Sequence, residues 1–235
     1  MCGRIALYTP PQRLARLLEA ALAAGVDPKG EPSWNLAPTR TLFGVVDRGE
    51  GRILDAYRWG LVPWFAKDVA VGSRQFNARA ETLTERPAFR EAFERRRLLV
   101  PIDGFYEWDH RGGERTPHFF ARTDGEPMVL AGLYERWRDP ELPADAPRLA
   151  TCTIVTTAPG PDLDGLHDRM PVVLERDVHD LWLTGADDEQ DAVLALCAPT
   201  PAGTLAHHPV SSRVGNVNND DPELVVEALP APRLF

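Results

Sequence analysis

The chain has 235 residues, 43% hydrophobic and 26% charged, the balance of an ordinary globular protein with no low-complexity or internally repeated segment. A formal net charge of −9 argues against non-specific coating of nucleic acid, which depends on Lys and Arg neutralising phosphates, so any such contact must come from a local arginine cluster. No apolar run approaches the roughly 20 residues of a bilayer span and the N-terminus lacks the basic and apolar regions of a signal peptide, which points to a cytoplasmic protein with no membrane partner.

Thr9-Pro10-Pro11-Gln12 reads as a helix start, with Thr9 as cap and Gln12 at the capping-box position; Leu14, Leu17, Leu18 and Leu22 form its apolar stripe and Gly25 ends it. Thr41–Asp47 has strand character, as do 97–102, 118–122, 128–134 and 151–157. A second helix is expected over 87–95, burying Phe89 and Phe93, a third over 178–183 and a fourth over 189–198 before Pro199. His110-Arg111-Gly112-Gly113 and Thr123-Asp124-Gly125-Glu126 read as hairpin turns, which makes at least the middle of the sheet antiparallel. Residues 139–147, rich in Pro and acidic side chains, read as a surface loop. The expected class is α+β: a single mixed domain over 1–235, dominated by antiparallel β-sheet, with a few packed helices.

Cys2, Cys152 and Cys197 are far apart, odd in number and form no CxxC pair, which argues against a disulfide framework and against a zinc site. Cys152 and Cys197 sit in apolar runs and read as inert core residues. Cys2 is different. Loss of the initiator Met1 would give one residue both a thiol and an α-amine, whose pKa of about 7.7–8.0 leaves roughly a tenth to a fifth of it neutral near pH 7. Such an amine can attack an aldehyde to give a Schiff base, and the thiol can then close onto the imine carbon as a thiazolidine ring. The alternative is that Cys2 merely follows the start codon and packs in the first strand.

Three more segments carry chemistry. Phe76 to Thr82 gathers Asn77, Arg79 and Glu81 in a span that reads otherwise as a solvated loop. Gly104-Phe105-Tyr106-Glu107-Trp108 sets one carboxylate among three aromatics, where desolvation raises its pKa and suits it to proton transfer; the alternative is a structural pair with an arginine. His167-Asp168-Arg169-Met170-Pro171 combines a proton shuttle near neutral pH with an arginine able to fork a phosphate. Trp59 reads as core, while Trp64 could stack on or wedge beside unpaired bases.

These segments, together with Trp34-Asn35-Leu36-Ala37-Pro38-Thr39, Trp59-Gly60-Leu61-Val62-Pro63 and His208-Pro209-Val210-Ser211, stand in an order that resembles the SRAP family, the SOS-response-associated or abasic-site-processing proteins. The resemblance implies a covalent crosslink between the N-terminal cysteine and the ring-opened abasic deoxyribose of single-stranded DNA, without cofactor or metal, by a monomer that joins the nucleoid when bound to DNA. Cys2 is then the nucleophile, Asn77 holds the N-terminus and sugar, Glu107 moves protons, and His167 assists ring opening and the Schiff-base step. Arg4, Arg79 and Arg169 match the family's phosphate-contacting arginines. The family pattern has a small residue between Pro and Trp where this chain has Trp64 followed by Phe65, so either aromatic could take the base-wedging position. Arginines around Cys2 are expected to favour its thiolate. Two other readings use the same residues: an N-terminal-nucleophile peptidase or amidohydrolase, with the α-amine as base, and a non-catalytic reader of single-stranded or modified DNA.

Overall fold

The computed structural model describes residues 2–111 and 115–228. In chain order the strands are β1 (Ile5–Leu7), β2 (Ala20–Leu22), β3 (Ser33–Leu36), β4 (Thr41–Asp47), β5 (Arg52–Trp59), β6 (Asn77–Arg79), β7 (Arg97–Ile102), β8 (Gly104–Asp109), β9 (Thr116–Arg122), β10 (Met128–Trp137), β11 (Leu149–Thr157), β12 (Met170–Pro171) and β13 (Leu205–Pro209). Four short helices accompany them: α1 (Pro11–Leu17), α2 (Arg90–Arg95), α3 (His179–Thr184) and α4 (Gln190–Ala195).

One sheet runs β13-β9-β8-β1-β3 and is antiparallel throughout. The other runs β12-β11-β10-β7-β4-β5-β2, with β6 added in parallel to β11. β5 also pairs in parallel with β11 through Arg58↔Thr151 and Trp59↔Cys152, so β11, β10, β7, β4 and β5 close on themselves as a small barrel, which removes those strands' free edges. β7 is buried at every position: Leu98–Ile102 is apolar, and the buried Arg97 guanidinium is satisfied by the Phe93, Trp182 and Gly185 carbonyls; β5 instead buries Leu54, Tyr57 and Trp59 and leaves the residues between them half-exposed. The mixed, strand-rich class expected from the sequence is the class observed.

Several local expectations change. α1 stops at Leu17 because Glu19 takes a left-handed φ of 54°, and Ala20–Leu22 then lies beside β5 in parallel; the Leu18/Leu22 spacing belongs to a helix end and a strand. Thr9 does not cap α1: its hydroxyl and amide both bind the buried Asp103 carboxylate, at 2.5 and 2.8 Å. α2 begins at Arg90, three residues later than expected, although Phe89 and Phe93 are both buried. The turn at Thr123–Glu126 makes no hairpin, because β9 pairs with β8 and β13 while β10 pairs with β7 and β11; the chain there crosses from one sheet to the other. The turn expected at His110–Gly113 lies partly outside the described residues, but β8 and β9 on either side of it do pair. Asn77–Arg79 is a strand and Ala80–Thr82 a 3-10 turn, with Ala78 and Ala80 buried, so this segment is not a solvated loop. Cys152 and Cys197 are buried free thiols.

Gly60 has φ of +124°, and a Cβ there would come within 2.5 Å of the Gly72 carbonyl oxygen. That contact lets the chain after β5 turn sharply and leaves Trp64 and Phe65 on the surface, 62% and 49% exposed.

Candidate functional site

β1 and β8 pair with Ile5 opposite Phe105, and the Tyr106 amide donates to the Arg4 carbonyl at 2.9 Å. Carried one residue further, that register brings the N-terminal end of the chain beside Glu107. Cys2 is 0% exposed and Glu107 3%. On the other side β6 runs along β11, with Asn77 opposite Ile154, and the Asn77 side-chain Nδ2 donates to the Cys2 carbonyl oxygen at 2.7 Å. His167 arrives just before β12, which pairs with the far end of the same β11, so the Asn77 and His167 segments are both positioned by one strand.

His167 Nε2 stands 3.6 Å from Glu107 Oε2. His167 Nδ1 lies 3.0 Å from the Arg169 backbone nitrogen and 3.1 Å from the Arg169 carbonyl oxygen, which fixes the ring over its own turn with Nε2 facing Glu107. The Asp168 carboxylate, 3.1 Å from Nδ1 and exposed to solvent, becomes a partner for that nitrogen when the ring is protonated. Burial, above all, raises the Glu107 pKa, opposed by nearby positive charge including His167. Burial and then the Glu107 carboxylate push the Cys2 thiol well above its usual range, while the Arg4 backbone N–H bonds its sulfur. The expected favouring of the Cys2 thiolate by arginines does not prevail: burial first, and then the Glu107 carboxylate, favour the neutral thiol.

The three arginines occupy different environments. Arg79 is exposed and, among the described residues, makes no ion pair. Arg169 forks Glu81 at 2.5 and 2.9 Å and also donates to the Thr156 carbonyl at 2.6 Å, which fastens the His167 segment to β11 and to the turn after β6. Arg4 Nη1 donates to Asn35 Oδ1 at 2.7 Å and to the Val214 carbonyl at 2.6 Å. Arg4 and Arg169 thus serve first as braces. Trp64 and Phe65 meet edge to face with centroids 5.6 Å apart.

Glu107, His167, Arg79 and Arg169 share a cleft of about 470 Å³ with His110 and Arg115. Sequence reasoning did not single out the last two; their only signal is that they flank the β8–β9 connection, next to Glu107's strand. A larger hollow of about 800 Å³ lies along 31–43 and 217–220 and is lined by neither Glu107 nor His167; Cys2, fully buried, lines neither hollow and sits behind the Glu107 wall of the smaller one.

The chain is thus a strand-rich α+β protein whose fold gathers an N-proximal cysteine, an amide, a buried carboxylate and a histidine. The profile described as SOS response associated peptidase (SRAP) matches residues 1–217, and the chain belongs to that family. The abasic site processing protein YoqW of Bacillus subtilis (strain 168) is 36% identical over 228 residues, covering 96% of this chain and 99% of its own. The abasic site processing protein YoaM of the same organism is also 36% identical, over 96% of this chain and 97% of its own. A crystal structure of a protein from Bacteroides thetaiotaomicron shares the fold, with a TM-score of 0.85 at 21% identity over 97% of this chain and 100% of that one.

Proposed function

We propose that this protein processes abasic sites in DNA, and that it does so by capturing the lesion covalently through Cys2 in single-stranded DNA. The role in abasic-site processing is supported by the names its relatives carry. The covalent scheme rests chiefly on one observation: the Cys2 carbonyl is tied to Asn77 while the Cys2 thiol lies in the electrostatic reach of Glu107, which itself faces His167.

The chemistry follows from the groups. Removal of Met1 creates the α-amine at Cys2. An abasic sugar is a cyclic hemiacetal in equilibrium with an aldehyde, and His167 and Glu107 together take the hemiacetal proton and return one to the ring oxygen as it opens. The neutral amine adds to the aldehyde carbon, and Glu107, whose raised pKa keeps it protonated closer to neutrality, gives a proton to the leaving hydroxyl as water departs. The thiol sulfur then adds to the imine carbon and its proton passes to the nitrogen, giving a thiazolidine with the net loss of one water. A neutral, desolvated thiol suits this last step, because no free thiolate competes with the amine for the aldehyde.

Arg79 and Arg115, both lining the cleft, supply positive charge for the flanking phosphates, which fix register without reading sequence. Single strands expose the sugar without the cost of unpairing a duplex. Trp64 and Phe65, both exposed, are the two aromatics available to wedge beside a base. Single-stranded DNA carrying an abasic site is expected to give a complex that survives denaturant, and Cys2→Ala is expected to abolish it. Peptide hydrolysis lost in the same variant and indifferent to DNA would instead make the thiol an amide-cleaving nucleophile.

A further inference from the structure

Away from the cleft, two imidazoles meet across β9 and β13. His118 Nδ1 and His207 Nδ1 are 3.0 Å apart, with ring centroids at 5.1 Å and planes inclined by 60°. The β9–β13 register sets Pro209 opposite His118 and His207 opposite Phe120; residues two apart in a strand share a face, so both rings stand on the same side of the sheet. His118 is half-buried, and His207 is exposed with one side of its ring against Phe120, 4.8 Å between centroids. Burial first, and then the neighbouring imidazoles, hold both rings toward the neutral form, which is the form that ligates metals.

The spacing fits a shared cation. With metal–nitrogen bonds of about 2.0–2.1 Å, two ligand nitrogens stand about 2.8–3.0 Å apart at a square-planar corner and about 3.3–3.4 Å apart in a tetrahedron. The observed 3.0 Å matches the first and lies a few tenths of an ångström from the second, so ring rotation that turns both nitrogens toward one ion changes their separation little. Asp109, on the neighbouring strand β8, bears electrostatically on both rings and adds negative charge to the neighbourhood, partly offset by Arg111. Among the described residues no cluster of three or more His, Cys, Asp or Glu is arranged around an ion, so water must complete the shell and the affinity is that of a two-ligand chelate.

We propose that His118 and His207 form a two-histidine site for a borderline-soft divalent cation of the Zn²⁺ or Ni²⁺ type, which ties the edge strand β13 to β9. Imidazole pairs select such ions over Mg²⁺, which prefers oxygen ligands. The site is separate from the proposed Cys2 chemistry and does not depend on it.

The test uses the tag-free full chain, with thermal melting and isothermal titration calorimetry against Zn²⁺, Ni²⁺ and Mg²⁺. Zn²⁺ and Ni²⁺ are expected to raise Tm in a concentration-dependent way, by preferential binding to the folded chain, and Mg²⁺ to leave it unchanged. His118→Gln and His207→Gln are each expected to weaken binding by at least about tenfold, while metal-free melting curves report whether the variants fold. Cys2→Ala is expected to bind as wild type does. Absence of a Zn²⁺ or Ni²⁺ response, an undiminished response in both histidine variants, or its loss in Cys2→Ala would each overturn the assignment; with no response the pair is a proton-sharing contact only.

Discussion

Replacing Asn77 by Ala removes one defined contact, the 2.7 Å hydrogen bond from its side-chain amide to the Cys2 carbonyl. A partly buried neutral hydrogen bond contributes about 0.5–1.5 kcal/mol net, which alone corresponds to roughly a two- to twelvefold effect if it is fully expressed in the transition state. The geometric consequence is larger. Without Asn77 nothing else described holds that carbonyl, and a shift of the reacting amine by about 1 Å can cost on the order of a hundredfold in rate. Asn77→Ala is therefore expected to slow crosslinking by between about tenfold and a hundredfold, with a fall in Tm of only a few degrees. Asn77→Asp is not expected to rescue it, because a carboxylate cannot donate to a carbonyl and would add charge beside Glu107. The assay is the first-order appearance of denaturant-stable complex at saturating single-stranded abasic DNA, with anisotropy reporting affinity separately. A rate within twofold of wild type in Asn77→Ala, with Cys2→Ala inactive, would refute the positioning role.

Burial raises the Glu107 pKa, so the folded protein keeps a proton there that the unfolded chain has already lost; the stability this brings is present below the unfolded pKa of about 4.3 and is lost as pH rises through the folded value. Glu107→Gln is expected to flatten that part of the melting-against-pH curve and to remove the matching fall in crosslinking rate; an unchanged profile would assign the titration elsewhere. Arg169→Lys, which cannot fork Glu81 and reach Thr156 together, is expected to cost about 1–2 kcal/mol in chemical denaturation and to slow crosslinking with little change in DNA affinity. The ring that stacks on a base is expected to cost about 1–3 kcal/mol of single-stranded DNA binding when cut to Ala, so anisotropy titrations of Trp64→Ala and Phe65→Ala identify the wedge; no loss in either would refute an aromatic wedge.

Local pattern carried much of the fold. The segments 41–47 and 97–102 are strands with those bounds, because their apolar centres, Leu42–Val46 and Leu98–Ile102, carry most of the buried positions of the closed sheet. What local pattern could not carry is pairing between distant segments: nothing in Arg52–Trp59 announces that it lies beside Thr151 and Cys152, yet that contact closes the barrel. The leucines of 14–22 misled because the spacing from Leu18 to Leu22 fits a helix, while Glu19 breaks it and Ala20–Leu22 joins a strand. At the cleft the residue types were legible, since Cys2, Asn77, Glu107 and His167 each offer a distinct chemistry. Their partners were not: Glu81 for Arg169 and Asn35 for Arg4 are 88 and 31 residues away in sequence, and only the folded chain shows those guanidiniums already engaged. The state of the Cys2 thiol was misjudged because nothing in Met1-Cys2-Gly3-Arg4 signals its burial, whereas the aromatics flanking Glu107 did signal that of the carboxylate.

Intact mass spectrometry of the active protein, before and after reaction with a single-stranded abasic oligonucleotide, is the most direct measurement. The account predicts a chain that begins at Cys2 and shifts by the mass of the oligonucleotide less one water. Full activity from a chain that still carries Met1, or an adduct that forms equally well with Cys2→Ala, would contradict it.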